Sequence, residues 1–103
     1  MKVKISELQG EALDRVVEEC EQFVEDEFEP SENWGDGGPI IEREKIALDT
    51  WGDEWLATRI EGSAISEAIG PTPLIAAMRC YVASKFGDDL VLFKVEVPNE
   101  MAS

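Results

Sequence analysis

Two stretches of the sequence place chemically useful side chains at usable spacings. The first is acidic: Glu7, Glu11, Asp14, Glu18, Glu21 and Glu25 follow at intervals of 4, 3, 4, 3 and 4 residues. On a helix this spacing draws six carboxylates into one line about 27 Å long, at about 1.5 Å per residue. Like charges at i,i+4 each cost a helix a few tenths of a kcal/mol, so the line suggests a docking surface for a basic protein, even a mimic of duplex phosphates. The alternative is a solvated face. The second stretch is Asn33-Trp34-Gly35-Asp36-Gly37-Gly38-Pro39, with Glu42 and Arg43 just beyond. Glycines beside a tryptophan let a backbone approach a ligand while the ring packs over it. A ligand or partner loop of Trp34, Asp36, Gly37, Gly38, Glu42 and Arg43 is one reading, and a tight turn anchoring Trp34 in the core is the other. The stretch matches neither the dinucleotide-binding G-x-G-x-x-G nor the calcium-loop pattern.

Several chemistries are excluded or disfavoured by composition. There is no histidine, and Cys20 and Cys80 stand alone, which removes the usual zinc sites, serine and cysteine triads and histidine acid–base work. No cofactor is implied. Glu42-Arg43-Glu44-Lys45 reads as a salt-bridged or solvated cluster, since acid–base catalysis needs a perturbed pKa in a cleft. Net charge is −14, and residues 7–36 hold twelve acids against one base, Arg15. Direct binding to nucleic acid or an anionic membrane is therefore disfavoured, while a basic protein partner, a cation or plain solubility stay open. The start, MKVKISELQG, lacks the apolar run of a signal peptide, and no stretch reaches membrane-spanning length. A cytosolic protein with reduced thiols and core-packed cysteines is expected.

The elements that must position these residues are legible in outline. With 103 residues, 44% of them hydrophobic, the chain is expected to form one domain with a real core. Lys2-Val3-Lys4-Ile5 alternates like a short strand. Ser6 and Gln9 suggest a capping box for an amphipathic helix to Val24, on which Glu11 and Arg15 pair. Residues 25–39 read as a long loop, punctuated by Pro30, three glycines and Pro39, with one helical turn at 40–44. Two strands are expected at 46–48 and 55–60 around a turn containing Gly52, with a helix over 53–60 as the competing assignment. Trp55 is expected in the core and Trp51 partly exposed.

The sharpest signal is a helix between Pro71 and Gly87, with Thr72 as cap, Pro73 at the first position and Gly87 as the stop. One arc of it is bulky (Leu74, Ile75, Met78, Tyr81, Val82, Phe86) and the other small (Ala76, Ala77, Cys80, Ala83, Ser84). Such a helix is buried on more than one side, and its small face admits a close backbone neighbour. Arg79 lies on it and is expected to find an internal carboxylate, Glu42 or Glu44. Val91, Phe93, Val95 and Val97 alternate as a final strand ending at Pro98, with residues 98–103 as a frayed tail. The architecture expected is α+β, in the order βαββαβ, a small antiparallel sheet with two main helices and the second helix central.

Several of these blocks together resemble the NinX-like proteins of tailed bacteriophages and prophages. They are Lys4-Ile5-Ser6-Glu7-Leu8 with Ala12-Leu13-Asp14, Trp34 with the run from Gly37 to Glu44, Trp55-Leu56-Ala57, and the long block from Gly70 to Asp88. The resemblance implies a small phage accessory protein of unknown function working in the cytoplasm of a bacterial host, and it carries over no catalytic residues. A non-enzymatic protein that binds a host or phage protein through its acidic surface is the expectation. The alternative is a small-molecule or nucleotide-handling enzyme built on the Trp34–Pro39 loop with Glu42 and Arg43.

Overall fold

The helix at the centre of the fold, α3 (Pro73–Phe86), has the ends that its sequence predicts. Thr72 Oγ1 accepts from the Ile75 N–H at 3.1 Å, and Gly87, at φ +80°, donates to the Ala83 carbonyl at 2.8 Å. The computed structural model describes residues 2–22, 27–87 and 89–91. Around α3 run β1 (Lys2–Lys4), a 3₁₀ turn (Ile5–Glu7), α1 (Gly10–Glu21), α2 (Trp34–Glu44), β2 (Ala47–Trp51), β3 (Glu54–Glu61), β4 (Ala64–Gly70) and β5 (Asp89–Val91). β2, β3 and β4 form an antiparallel sheet in that order, and β1 pairs antiparallel with β5. The α+β class is as expected. The order differs from βαββαβ, because α2 and β4 are additional elements and the strands form two sheets.

The closest contact between α3 and the sheet is made by small residues of β3 and β4. Register and alternation put Leu48, Trp55, Ala57, Ser66, Ala68 and Gly70 on the inner side of β2–β3–β4. Gly70 lies so near α3 that a Cβ there would come within 2.7 Å of the Ala76 nitrogen. The Cys80 thiol reaches the Ser66 carbonyl at 3.3 Å. Most of the bulky arc looks the other way: Leu74 meets α2 at Gly37, and Tyr81 meets Glu21 of α1 and Arg43 of α2, while Ile75 lies at the edge of the sheet contact beside Gly70. Both arcs are buried through the middle of the helix, as the sequence implies, and Leu8, Leu13, Val16 and Val17 close the core from the α1 side.

The strand expected at 55–60 is present and its helical competitor is not: β3 pairs along its whole length, between tight turns at Gly52-Asp53 and Gly62-Ser63. Two other expectations need correction. The first helix does not run from Ser6: a 3₁₀ turn covers Ile5–Glu7 and α1 begins at Gly10, with Gln9 as an N-cap that makes no side-chain bond. The break has a partner, because the Leu8 carbonyl, which a continuous helix would give to residue 12, accepts from Arg79 Nε at 2.8 Å. Gly10, at φ +57°, supplies the turn. Finally, 34–39 is not loop but the first half of α2, whose cap is Asn33, accepting from the Gly35 N–H at 2.7 Å. Three glycines and a proline make this a poor helix by propensity, and packing overrides them: Ile40 is buried and Gly37 seats against Pro30 and Leu74. The expectations at Phe23, Val24 and Glu25, for the strand beyond Val91 and for the tail at 98–103 lie outside the described residues.

Two glycine substitutions test the close contact. Gly70→Ala is expected to destabilise by about 1–3 kcal/mol, the usual cost of overpacking, because the new methyl meets backbone. Gly38→Ala meets open space on a helix and should be neutral or stabilising by up to about 1 kcal/mol. Thermal unfolding of both variants decides, and a Gly70→Ala protein as stable as the parent would refute the tight seating of α3.

Candidate functional site

The acidic line is broken up by the fold. Glu7 sits in the 3₁₀ turn, Glu11 is exposed and pairs with Arg15 at 3.4 Å, and Glu18 is half-buried. Asp14 is buried and its Oδ1 accepts from the Ser31 N–H at 2.8 Å, tying α1 to the segment that leads into α2. Burial pushes the Asp14 carboxyl above its ordinary range, and its contact with Ser31 offsets only part of that shift. Glu21 is turned inward against Arg43 and Tyr81. Glu25 lies outside the described residues.

The tryptophan–glycine stretch is likewise taken up by structure. Trp34 is 54% exposed at the start of α2, so it does not anchor the core. Asp36 accepts from the Glu29 N–H at 2.9 Å, and a Cβ on Gly37 would stand 2.4 Å from the Pro30 carbonyl oxygen. Asp36 and Gly37 therefore fasten the approach segment to the helix. Glu42 is exposed, and Gly38 has open space beside it.

What the structure does bring together is Glu21 and Arg43, 22 residues apart, in a ladder of charges across four elements. Arg43 grips Glu21 with two parallel bonds, Nη1–Oε1 at 2.9 Å and Nη2–Oε2 at 2.7 Å, and its Nε donates to Glu44 Oε2 at 2.8 Å. Glu44 also accepts from Arg59 Nε at 3.0 Å, and Arg59 reaches Glu61 at 3.1 Å. The Tyr81 hydroxyl donates to Glu21, while Arg43 and Lys85 lie 5.8 and 5.4 Å from the centre of its ring. The Arg43 bonds hold Glu21 below the ordinary carboxylate range, and burial together with the Glu21 carboxylate raises Tyr81. Burial opposes ionisation of Glu44, but Arg43 and Arg59 outweigh it and lower its pKa. A carboxylate gripped in this way is a poor proton acceptor, so the ladder is a clasp joining α1, α2, β3 and α3. The salt-bridged reading of Glu42-Arg43-Glu44-Lys45 holds for Arg43 and Glu44, whereas sequence spacing singled out Glu21 and Arg43 separately and missed Arg59 and Tyr81, because no local pattern relates them.

Arg79 corrects a further expectation. Among the described residues its guanidinium meets no carboxylate at salt-bridge distance. It donates instead to the carbonyls of Leu8 and Ile69, each at 2.8 Å, and burial lowers its pKa. It latches the 3₁₀–α1 break to the end of β4. Both cysteines are free, and burial pushes each thiol up to about 11, leaving them protonated and unreactive at neutral pH. A groove of about 400 Å³ runs between Lys4–Ser6 and Glu67–Ile69, with Ala83 beside it. Among the described residues no three or more Asp, Glu or Cys side chains are grouped to hold a metal, and no helix is long and apolar enough to cross a membrane.

These features define a small α+β protein whose four arginines are all paired, Arg79 in the interior, and whose carboxylates largely face outward. The family described as Bacteriophage P22, NinX matches residues 22–85, more than half of the chain, and the chain belongs to that family. The matched segment starts just after α1 and holds α2, the three-stranded sheet and all but the last residue of α3. No curated protein matches the chain.

The two inward carboxylates should titrate with opposite effects on stability. Glu21, depressed in the fold, contributes stability above its unfolded pKa that is lost as pH falls through the folded value. Glu21→Gln should therefore destabilise at neutral pH, with the deficit narrowing below about pH 4. Asp14, raised in the fold, costs stability while ionised; Asp14→Asn keeps the acceptor for Ser31 and should stabilise at pH 7, with the gain fading towards about pH 3. Urea unfolding at both ends of that range checks the signs, and two variants shifting alike would contradict these assignments. Arg79→Met should cost on the order of 2–4 kcal/mol, since two carbonyls each lose a partner worth about 1–3 kcal/mol. A loss below about 1 kcal/mol in the same unfolding assay would show that Arg79 is no latch.

Proposed function

We propose that this chain is a phage accessory protein without catalytic activity of its own, which acts inside the infected bacterium by binding a basic phage or host protein through its acidic surface. Membership of a bacteriophage family supports the setting. The observation that carries the binding mode is the fate of the arginines. There are four. Arg43 and Arg59 are locked in the clasp, Arg79 is buried against carbonyls, and Arg15 is paired with Glu11. Against the exposed Lys4, Lys45 and Lys85 stand more numerous exposed carboxylates, among them Glu7, Glu19, Glu27, Glu29, Glu32 and Glu42, so the outward field is predominantly acidic. Such a field steers a basic partner to the surface and repels nucleic acid and anionic membrane.

Salt dependence tests this. The immobilised protein, incubated with lysate of phage-bearing bacteria at about 50 mM salt, should retain a basic protein that about 500 mM salt releases. An unrelated domain of matched net charge serves as the control. Retention of nothing beyond what that control retains would refute the proposal.

A further inference from the structure

The sheet has a second face, which the core does not use. Alternation along the strands turns Trp51, Leu56, Ile60, Ile65 and Ile69 away from α3. Ile60 pairs directly with Ile65, and Leu56 with Ile69, so the apolar side chains stack in two cross-strand rows. Ile60 is 65% exposed, Ile65 64% and Trp51 56%. A sheet with one solvated face ordinarily shows polar residues there. Here the inner face is small where α3 seats, at Ala57, Ser66, Ala68 and Gly70, and the outer face carries the large branched residues. Clustered exposed hydrophobics of this kind, unlike single ones, mark interaction surfaces.

Charge selects the occupant. The strands bring Asp49, Glu54 and Glu67 to the same face and no lysine or arginine, and all three acids are exposed. The cation of β3, Arg59, points to the other side, into Glu44. A second copy of the chain would set these carboxylates against their own equivalents, in a protein whose net charge is −14. A partner with an apolar centre edged by lysine or arginine would bury the isoleucine rows and pair the acids. We infer that the outward face of β2–β3–β4 is the docking site for such a protein. This inference rests on the protein-binding function proposed above and moves its centre from the first helix to the sheet.

Two measurements on the full chain test it, using the salt-released protein as ligand once it has been identified and purified. Ile60→Thr with Ile65→Thr keeps β-branched side chains on the strands and so preserves the fold, which circular dichroism and an unchanged melting temperature confirm. Binding to the partner should weaken about tenfold or more, as loss of a buried apolar anchor does, and Asp49→Asn with Glu67→Gln should flatten its salt dependence. Separately, replacing Ile65 with a photo-crosslinking amino acid should yield a product with that same basic protein. Undiminished binding by the double threonine variant would overturn the sheet site while leaving the proposed function standing. So would a crosslink to a second copy, or to residues 92–103 of the same chain. Absence of any salt-released protein, with no intermolecular crosslink, would overturn both.

Discussion

The distance between α3 and the β3–β4 hairpin governs the rest of this structure. Gly70 leaves no room for a methyl group before the backbone of Ala76, and Ala57, Ser66 and Ala68 continue the same low relief along the sheet. A helix seated this closely loses the space that large side chains on the inner face of the sheet would need. The large β-branched residues of the hairpin are consequently found on the opposite face, and most of the bulky arc of α3 points away from the sheet. There it meets α1 and α2, which supply the remainder of the core. Close packing of interiors makes these choices interdependent.

Charge is arranged around the same helix. Tyr81 carries the core outward to Glu21, and Glu21 begins the ladder that runs through Arg43, Glu44 and Arg59 to Glu61. Half-buried charges are tolerable because each carboxylate inside the ladder has a guanidinium partner. Arg79 takes a different solution, with carbonyls as acceptors, one of them released by the interruption between the 3₁₀ turn and α1. The consequence for the surface is indirect. With Arg59 and Arg79 taken into the fold and Arg15 and Arg43 paired, the exterior is predominantly acidic, and exposed acids share the outer sheet face with its apolar rows.

Much of this was legible along the chain wherever one element carried its own signal. The boundaries of α3 follow from Thr72, Pro73 and Gly87, its double burial from the two arcs of its wheel, and β2 and β3 from apolar runs around Gly52. The helix α2 was hidden, because Gly35, Gly37, Gly38 and Pro39 oppose it locally, and the seat of Gly37 against Pro30 and Leu74 that favours it is a tertiary contact. The strand β4 was hidden for another reason. Its alternation is inverted, with Ile65 and Ile69 outward and Ser66 and Ala68 inward, so the usual equation of apolar with buried gives no guide.

The amino-acid sequence by itself determined the α+β class, the central helix, the acidity and the absence of histidine chemistry, since these depend on composition, caps and short-range periodicity. Tertiary structure alone decided which acids are spent internally. Asp14 and Glu21 stand in the same helical line as Glu11, yet two are turned to Ser31 and Arg43 and one faces water. Helical spacing specifies direction around an axis, not what lies there. The same limit applies to the sheet. A period of two assigns residues to two faces, and only the position of α3 determines which face is core and which is left open.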